Sequence, residues 1–452
     1  MSRHWIACVS RLGMAASLLL GALSLTGCSS FDSKPAATGR PVAFREEPDI
    51  RVRIKKNQLQ TRIEGPSRMV VRPTTVVRAE AVTGPLTFRG TVNGMVMTDG
   101  SGHQREFAPG TDVEVLPREM SQAERNSSDA YKPGDALVID GDTHPGFALV
   151  HARPSEGGVV DVIAVMPIET YIPGVISHEL IATWPRQTFE CQAVAARSYA
   201  LHERERSRRA GEFYDVESNT SDQVFGGLSS LPVATEATRA TRGTVMTEGT
   251  TGPAARVLLR TYYSSTCGGE QASAKDVFPT AGPNAFNLAK PLQAQKRQHF
   301  CQSAGRYRWE ARRQASDLTR RIRAWGMNAG NPVKNIGNLT DCKALDRNVT
   351  NRPIRYQLTD DRGQVFKINA EELRNACNYP APGAVEITKE TRVYSGDLEM
   401  SFAASEVIIV GKGFGHGVGM CQYCAKGMAE KGWDWPSMMK LFYPGAGTMK
   451  AY

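Results

Sequence analysis

Between Asp49 and Asp161 apolar and polar positions alternate: DIRVRI, MVVRPTTVVRAEAV, LTFRGTVNGMVMT and DVEVLP each send every second side chain to one face. Gly, Pro and Asn-Gly breaks separate these runs, which predicts short antiparallel strands and not helices. The stretch ERNSSDAYKPGD at 124–135 carries turn formers and predicts an exposed loop. Beyond it, ALVIDGDTHPGFALVHARPSEGGVVDVIAVMPIETYI returns to strands and turns. The period then changes. Pro185 supplies a helix start, and Phe189, Ala193, Ala196 and Ala200 recur at helical spacing on one face. Ala193, Ala195 and Ala196 keep that helix slim enough for close approach, and its tail, HERERSRRAGE, reads as a solvated end. Residues 240–278 resume strand-like text, TRGTVMT and ARVLLRTYYSS, and end in the turn CGGE. Residues 306–410 alternate a helical piece, ASDLTRRIRAW, with strands such as PIRYQLTD, GQVFKI and EVIIV. A glycine-rich loop, GKGFGHGVGM, and a helix, CQYCAKGMAEKGW, precede LFYPGAG; no repeat of fixed period is present.

A chain of 452 residues that is 41% hydrophobic buries a large core, as two or three domains or one elaborated one. Its formal charge of +9 favours an acidic partner: nucleic acid, a membrane surface or an anionic envelope polymer. The first residues decide among them. Arg3 and Arg11 precede an apolar run from Met14 to Leu25, which ends in Leu25-Thr26-Gly27-Cys28, a stretch that resembles a bacterial lipobox. Cleavage there leaves Cys28 as an acylated anchor, whose two or three chains hold a membrane durably. An ordinary secretory signal and a membrane span are the alternatives, but the apolar run is short of the roughly 20 residues a span needs. Export removes nucleic acid from the partners. Ser29, not aspartate, follows the cysteine, which favours the periplasmic face of an outer membrane where the cell has one. The organisation expected is a signal at 1–27, a flexible tether at 28–48, a β-rich region at 49–135 and a larger domain at 136–452, with 306–410 inserted in it.

Glu179 stands in YIPGVISHEL among Val175, Ile176, Leu180, Ile181 and Trp184, where burial would raise its pKa and let it hold a proton for transfer. The plainer reading is a surface glutamate in a helical turn. Seven cysteines lie beyond the signal and the anchor, Cys191, Cys267, Cys301, Cys342, Cys377, Cys421 and Cys424, an odd number that leaves one unpaired if the rest are disulfides. Cys191, on the alanine-rich helix, suits a plain buried thiol. The CQYC spacing suits a redox pair, yet no thioredoxin pattern surrounds it, and the glycine loop lacks the lysine of a phosphate-binding loop.

The motifs YIPGVISHELIATWPRQTFECQAVAARSYAL, SDQVFGG, TRGTVMT, YYSSTCGGEQASAKDVF, GFGHGVGMCQYCAKGMAEKGW and LFYPGA, in this order, resemble the SpoIID/LytB family. The resemblance implies an α+β fold, a SpoIID-like catalytic core of mixed helices and antiparallel strands preceded by the N-terminal β-rich region. It implies a cell-wall protein: a lytic transglycosylase that cleaves peptide-free glycan strands of peptidoglycan between N-acetylmuramic acid and N-acetylglucosamine, or, as in LytB-type members, an enhancer of an amidase partner. Lytic cleavage needs one carboxyl, acid first and base second, because the sugar's own C6 hydroxyl closes on C1.

Glu179 matches the family's catalytic glutamate. Arg197 matches a functional position, where it would order the surroundings of Glu179, bind a sugar carboxylate or form a helix-surface ion pair. Glu169, Glu190 and Glu203 fall at variable or helix-surface positions. Tyr171 and Tyr199 would stack on sugars or fill core. His416, with Gly415 and Gly417, would line the cleft and donate a hydrogen bond to sugar or to the catalytic carboxyl, or be a buried structural histidine. No cofactor is required by the reaction. Some family members carry zinc near the active site, and Cys267, Cys301 and Cys421, with Cys424, His416 or His299 as the fourth ligand, would hold a structural zinc; disulfides are the alternative, with Cys342–Cys377 expected as a pair in the inserted segment.

Overall fold

The computed structural model describes residues 44–452 apart from Val77, Thr220 and Ser221. The signal, Cys28 and most of the tether lie outside the described residues. The alternating N-terminal text forms β1 (Asp49–Gln58), β2 (Gln60–Glu64), β3 (Met69–Pro73), β4 (Glu80–Val82), β5 (Leu86–Thr91), β6 (Gly94–Thr98), β7 (Gln104–Phe107) and β8 (Val113–Leu116), and β9 (Leu137–Ile139), β10 (Asp142–His144), β11 (Phe147–Arg153) and β12 (Val159–Pro167) follow. One sheet runs β1-β12-β11-β8-β3-β4, with the short strand Val216–Glu217 parallel to β1 at its edge; the other runs β10-β9-β2-β5-β6-β7. Their inner faces share a core: Val71, Val115, Val150 and Val162 from the first sheet meet Ile63, Phe88, Met95 and Met97 from the second. Strands from either side of residue 135 pair in both sheets, β1 with β12, β8 with β11 and β2 with β9. β12 is buried at every position because its second face carries the helical layer, with Ala164 and Met166 packed against the helices. That double burial explains its apolar text, which is interrupted by Asp161, paired with Arg53 at 3.1 Å and Arg153 at 3.2 Å.

The 124–135 stretch is more ordered than its turn formers predict. It begins in the last two residues of α1 (Gln122–Arg125), which a capping box between Ser121 and Glu124 closes, and continues through 3-10 turns at Ser128–Ala130 and Pro133–Asp135; Arg125 is buried with its guanidinium on Glu114 at 3.1 Å.

The helical layer consists of α2 (Ile168–Glu179), α3 (Arg186–Arg209) and α4 (Pro232–Ala240). α3 is central. Phe189, Ala193, Ala196 and Ala200 face one core with α2 and β12, while Cys191, Val194, Ala195 and Tyr199 face another with the C-terminal elements. Its tail is not a solvated end. Glu203 is fully buried between Arg260 at 3.0 Å and Arg206 at 2.7 Å, and Arg204 and Arg208 both reach Asp49 at 2.9 Å. Opposite charges on β1 and the neighbouring loops turn a charged run into an anchor.

After α5 (Ala274–Val277), residues 306–410 fold around a core of their own. Strands Arg308–Gln314, Glu406–Lys412 and Leu398–Ala403 make one antiparallel sheet and Leu339–Arg347, Pro353–Asp360 and Val365–Asn369 another. They enclose Trp309, Leu358 and Ile409 with Leu318 and Ile322 of α6 (Ala315–Ala329) and Leu373 of α7 (Ala370–Cys377). The expected Cys342–Cys377 disulfide is not formed: both are free thiols in this core, packed as small apolar groups, and burial pushes Cys377 up to about 12.

The chain then returns to the helical layer. Met420–Cys421 lies parallel to Tyr263–Ser264, α8 (Gln422–Ala429) and α9 (Trp435–Phe442) follow, and Gly447–Lys450 pairs with Thr244–Thr247. The glycine loop threads this junction. At Gly419, φ is +71° and an added Cβ would meet the Tyr262 carbonyl oxygen at 2.2 Å, so both backbone shape and space demand glycine.

Candidate functional site

α2 ends at Glu179, where Leu180 turns to extended backbone. A carboxylate at a helix C-terminus faces the negative end of the helix dipole, which disfavours its charge. Burial acts in the same direction and raises the Glu179 pKa above the ordinary carboxyl value; the hydrogen bonds that oppose it come from Gln422 and Tyr263. Gln422 Nε2 donates to Glu179 Oε2 at 2.9 Å. Behind Tyr263 the network continues: Gln223 Nε2 donates to the Tyr263 hydroxyl at 3.0 Å and to the Ala196 carbonyl at 3.2 Å, and the Tyr171 hydroxyl donates to Gln223 Oε1 at 3.1 Å. The amide of Gln223 therefore holds both tyrosines, and Tyr263 is left to donate its proton to Glu179. Of the apolar residues around Glu179 in sequence, Val175 and Ile176 pack beneath α2 in the core, whereas Ile181 is 52% exposed and does not bury the acid.

Asp222 is the next carboxylate along this network, and both its oxygens are engaged, by the Tyr199 hydroxyl at 3.0 Å and by the Glu217 amide at 2.9 Å.

Arg197 reaches neither Glu179 nor a surface. It is fully buried, its Nε and Nη2 fork onto Glu169 at 3.0 and 2.8 Å, and Nη1 donates to the Thr244 carbonyl at 3.1 Å. Glu169 also accepts from the Gly243 amide at 2.8 Å and from the Tyr452 hydroxyl. Burial pushes the Glu169 pKa up, but the Arg197 charge and hydrogen bonds outweigh it and hold the carboxyl below its usual range. The reading of Glu169, Glu190 and Glu203 as helix-surface groups is corrected accordingly: all three are buried, Glu190 on Arg186 at 2.8 Å and on Gln187 at 2.6 Å. Tyr171 is fully buried, so it supports the site from behind and offers no face to a sugar.

His416 does not donate to Glu179. Its Nδ1 accepts from the Val418 amide at 3.0 Å, its ring meets Tyr262 and Phe278 edge-on, and its other hydrogen bond goes to the Tyr263 backbone. Burial lowers its pKa to about 4, so it is a neutral structural group. It braces the backbone of Tyr263, whose side chain meets the acid. Gly415 and Gly417 serve packing as well: a Cβ on either would approach Ser264 or the Arg352 guanidinium within 2.8 Å.

The sulfurs of Cys267, Cys301, Cys421 and Cys424 all lie within 4.8 Å of one another, buried and free. Cys267 Sγ is 3.7 Å from Cys301 Sγ and 4.0 Å from Cys424 Sγ. A tetrahedral zinc with bonds of about 2.3 Å spaces its sulfurs by about 3.8 Å, whereas a disulfide brings them to about 2.05 Å. Backbone amides point at the sulfurs as they would at thiolates: those of Cys267 and Cys424 reach Cys421 Sγ at 3.3 Å each, and that of Phe300 reaches Cys424 Sγ at 3.4 Å. His299 Nδ1 stands 3.6 Å from Cys267 Sγ, outside the four-sulfur set. The donor set fits a tetrahedral centre of four cysteine thiolates, with Cys424 and not a histidine as the fourth member. Tyr263, Gln223 and Gln422, which sequence reasoning did not single out, all lie inside the quoted motifs YYSSTCGG, SDQVFGG and CQYC.

Residues 156–247 match the family described as SpoIID, stage II sporulation protein, and residues 273–419 match a domain of unknown function, DUF8618. The chain is 27% identical over 294 residues to an uncharacterized protein of Brachyspira hyodysenteriae, an alignment covering 63% of this chain and 67% of that protein. It is 24% identical over 304 residues to the amidase enhancer of Bacillus subtilis, covering 62% of this chain but 40% of the relative. It is 21% identical over 294 residues to stage II sporulation protein D of the same organism, covering 63% of this chain and 75% of the relative. Glu179, Arg197 and Tyr171 fall in the first matched segment, and Cys301 and His416 in the second.

Truncating Arg197 to alanine leaves Glu169 buried without its partner and is expected to cost about 3–5 kcal/mol. Denaturant unfolding measures this, and Arg197→Lys, which lacks the bidentate fork, restores only part of it.

Proposed function

Because the chain belongs to the SpoIID/LytB family, we propose that it is a cell-envelope lytic transglycosylase acting on peptide-free peptidoglycan strands through Glu179. The observation that carries this reading is an acid raised by burial, which outweighs the hydrogen bonds of two neutral donors, Gln422 and Tyr263, and the nearby charge of His178. Protonated Glu179 gives its proton to the glycosidic oxygen between N-acetylmuramic acid and N-acetylglucosamine as the bond to C1 breaks. The carboxylate that remains is stabilised by the Gln422 amide and the Tyr263 hydroxyl, and it removes the proton of the C6 hydroxyl as that oxygen bonds to C1. A 1,6-anhydro-muramic end forms, and Glu179 regains its proton. A cation in place of the two neutral donors would pin the acid in its charged form and stop the first step.

The four cysteines would hold a zinc ion that serves as a cross-link. It would tie the turn after Tyr263–Ser264 to the 300–301 segment and to the start of α8, and so fix Gln422, adjacent to Cys421, against Glu179. The anchor proposed at Cys28 would keep the chain at a bacterial membrane, at the periplasmic face of an outer membrane where there is one, with the basic charge turned toward a polyanionic wall. Among the described residues no helix is long and apolar enough to cross a membrane. Likeness to an amidase enhancer supports a second reading, a wall-binding protein that stimulates an amidase without cutting glycan.

Digestion of peptide-free strands by the purified chain, followed by mass spectrometry, separates the two. The lytic reading expects 1,6-anhydro ends that fall at least about a thousandfold in Glu179→Gln. Strands bound but left uncut by the native chain would select the amidase reading instead. Tyr263→Phe removes a donor to the carboxylate, so the Glu179 pKa rises further. Since the acid acts protonated, the alkaline limb of the rate profile moves to higher pH, while the maximal rate falls about tenfold or more from loss of one hydrogen bond to a charged group. Elemental analysis is expected to find one zinc per chain, and Cys424→Ala to lose it together with a lowered unfolding midpoint.

A further inference from the structure

With Arg197 sealed in the helical layer, the cation that would recognise a sugar carboxylate lies elsewhere. A pocket of about 600 Å³ opens beside the cysteine cluster, lined by Glu270, Lys296, Arg297, His299, Asn351 and the loop around Val349. This is a ligand-sized volume. Its far wall is the hairpin tip that joins Leu339–Arg347 to Pro353–Asp360, and this tip is fastened to the core. Asn348 Nδ2 and Thr350 Oγ1 donate to the Gln271 carbonyl at 2.8 and 2.7 Å, and the Arg352 guanidinium donates to the Glu270 carbonyl at 3.0 Å. Its near wall is the segment leading to Cys301, where the Gln295 amide donates to Gln271 Oε1 at 3.4 Å.

The charges in this pocket do not balance. Lys296 has no ion pair among the described residues, and Arg297 spends its donors on the carbonyls of Leu441 and Gly419, at 3.1 and 3.2 Å, and not on a carboxylate. The acidic member, Glu270, is met by Lys412 at 2.9 Å. A concave site with two cations uncompensated by acids focuses a positive field on its contents. Val349 is 63% exposed and offers apolar surface, and the side-chain amide of Asn351 makes no hydrogen bond among the described residues, so a ligand that is anionic, hydroxylated and partly apolar fits the walls. The pocket and the acid flank the same sulfur cluster. Gln422, next to Cys421, meets Glu179, while Gly269 and His299, each two residues from a cysteine of the cluster, line the pocket.

We infer that this pocket binds the free lactyl carboxylate of a muramic acid residue, with Lys296 as the cation that meets it and the charge of Arg297 adding to the field. The inference rests on the proposed action on peptide-free glycan and gives it a physical origin. In a strand that carries stem peptides the lactyl carboxyl is tied up in an amide and uncharged; in a peptide-free strand it is an anion. A pocket that reads this charge selects the bare strand.

Binding is measured by nuclear magnetic resonance titration of the Glu179→Gln chain, so that no result depends on cleavage. The probes are N-acetylmuramic acid, N-acetylglucosamine, which lacks the lactyl group, and N-acetylmuramoyl dipeptide, in which the lactyl carboxyl is an amide and the free carboxylates lie at the peptide. N-acetylmuramic acid is expected to bind at least about tenfold more tightly than either of the others, with shifts at Val349 and Asn351. Lys296→Glu is expected to abolish the preference while the unfolding midpoint stays unchanged. Equal binding of N-acetylglucosamine, equal binding of the dipeptide, or a preference that survives in Lys296→Glu would each overturn the inference. Failure of the native chain to cut strands would overturn the lytic reading alone.

Discussion

The buried pair of Arg197 and Glu169 is the constraint on which the helical layer depends. Glu169 stands in the first turn of α2 and Arg197 halfway along α3; the Gly243 amide, the Thr244 carbonyl and the Tyr452 hydroxyl close around them. Segments distant in sequence thus meet at two side chains. Neither charge survives alone at that depth, so the pair forces α2 to start where it does and run as it does along α3. Glu179 lies ten residues on, at the far end of the same helix, about 15 Å away. The acid is positioned by an ion pair it never touches.

Three carboxylates of this chain, Asp49, Glu203 and Glu179, differ in the kind of donor they face. Burial pushes Asp49 and Glu203 up, yet Arg208 and Arg204 hold the first at about 2, and His202 and Arg260 hold the second at about 2. Each contributes stability present above the unfolded pKa and lost as pH falls through the folded one, and each does only structural work. Glu179 is partly buried, as Asp49 is, but is offered an amide and a phenol. Neutral donors do not repay the desolvation of a charge, so its pKa goes up where the others go down. For these three acids the contrast lies in the partners.

Much of this was legible in the text. Period-two runs marked the strands of both N-terminal sheets, and Phe189, Ala193, Ala196 and Ala200 marked the buried face of α3. What local pattern did not carry was long-range charge pairing. HERERSRRAGE reads as solvated because its partners, Asp49, Asp215 and Arg260, are contributed by other segments of the chain. For the same reason Arg197 suggested a ligand while Glu169 suggested a surface. Tyr263 and Gln422 lie inside recognised motifs, yet nothing in the spacing says that their side chains converge on Glu179, because a parallel pairing of Tyr263–Ser264 with Met420–Cys421 is invisible until both strands are placed.

That same pairing makes the four sulfurs more than a staple. In an oxidising compartment thiols this close tend to become disulfides. To do so, Cys267 and Cys301 would have to close from 3.7 Å to about 2.05 Å. The movement would pull the turn after Ser264 toward the 300–301 segment and take from Cys421 the amide of Cys267. Since Cys421 precedes the residue that holds Glu179, the strain would arrive at the acid through one peptide unit. The proposed zinc would resist that collapse by occupying all four sulfurs at their present spacing, so the environment that raises the Glu179 pKa would depend on a centre that takes no part in the chemistry.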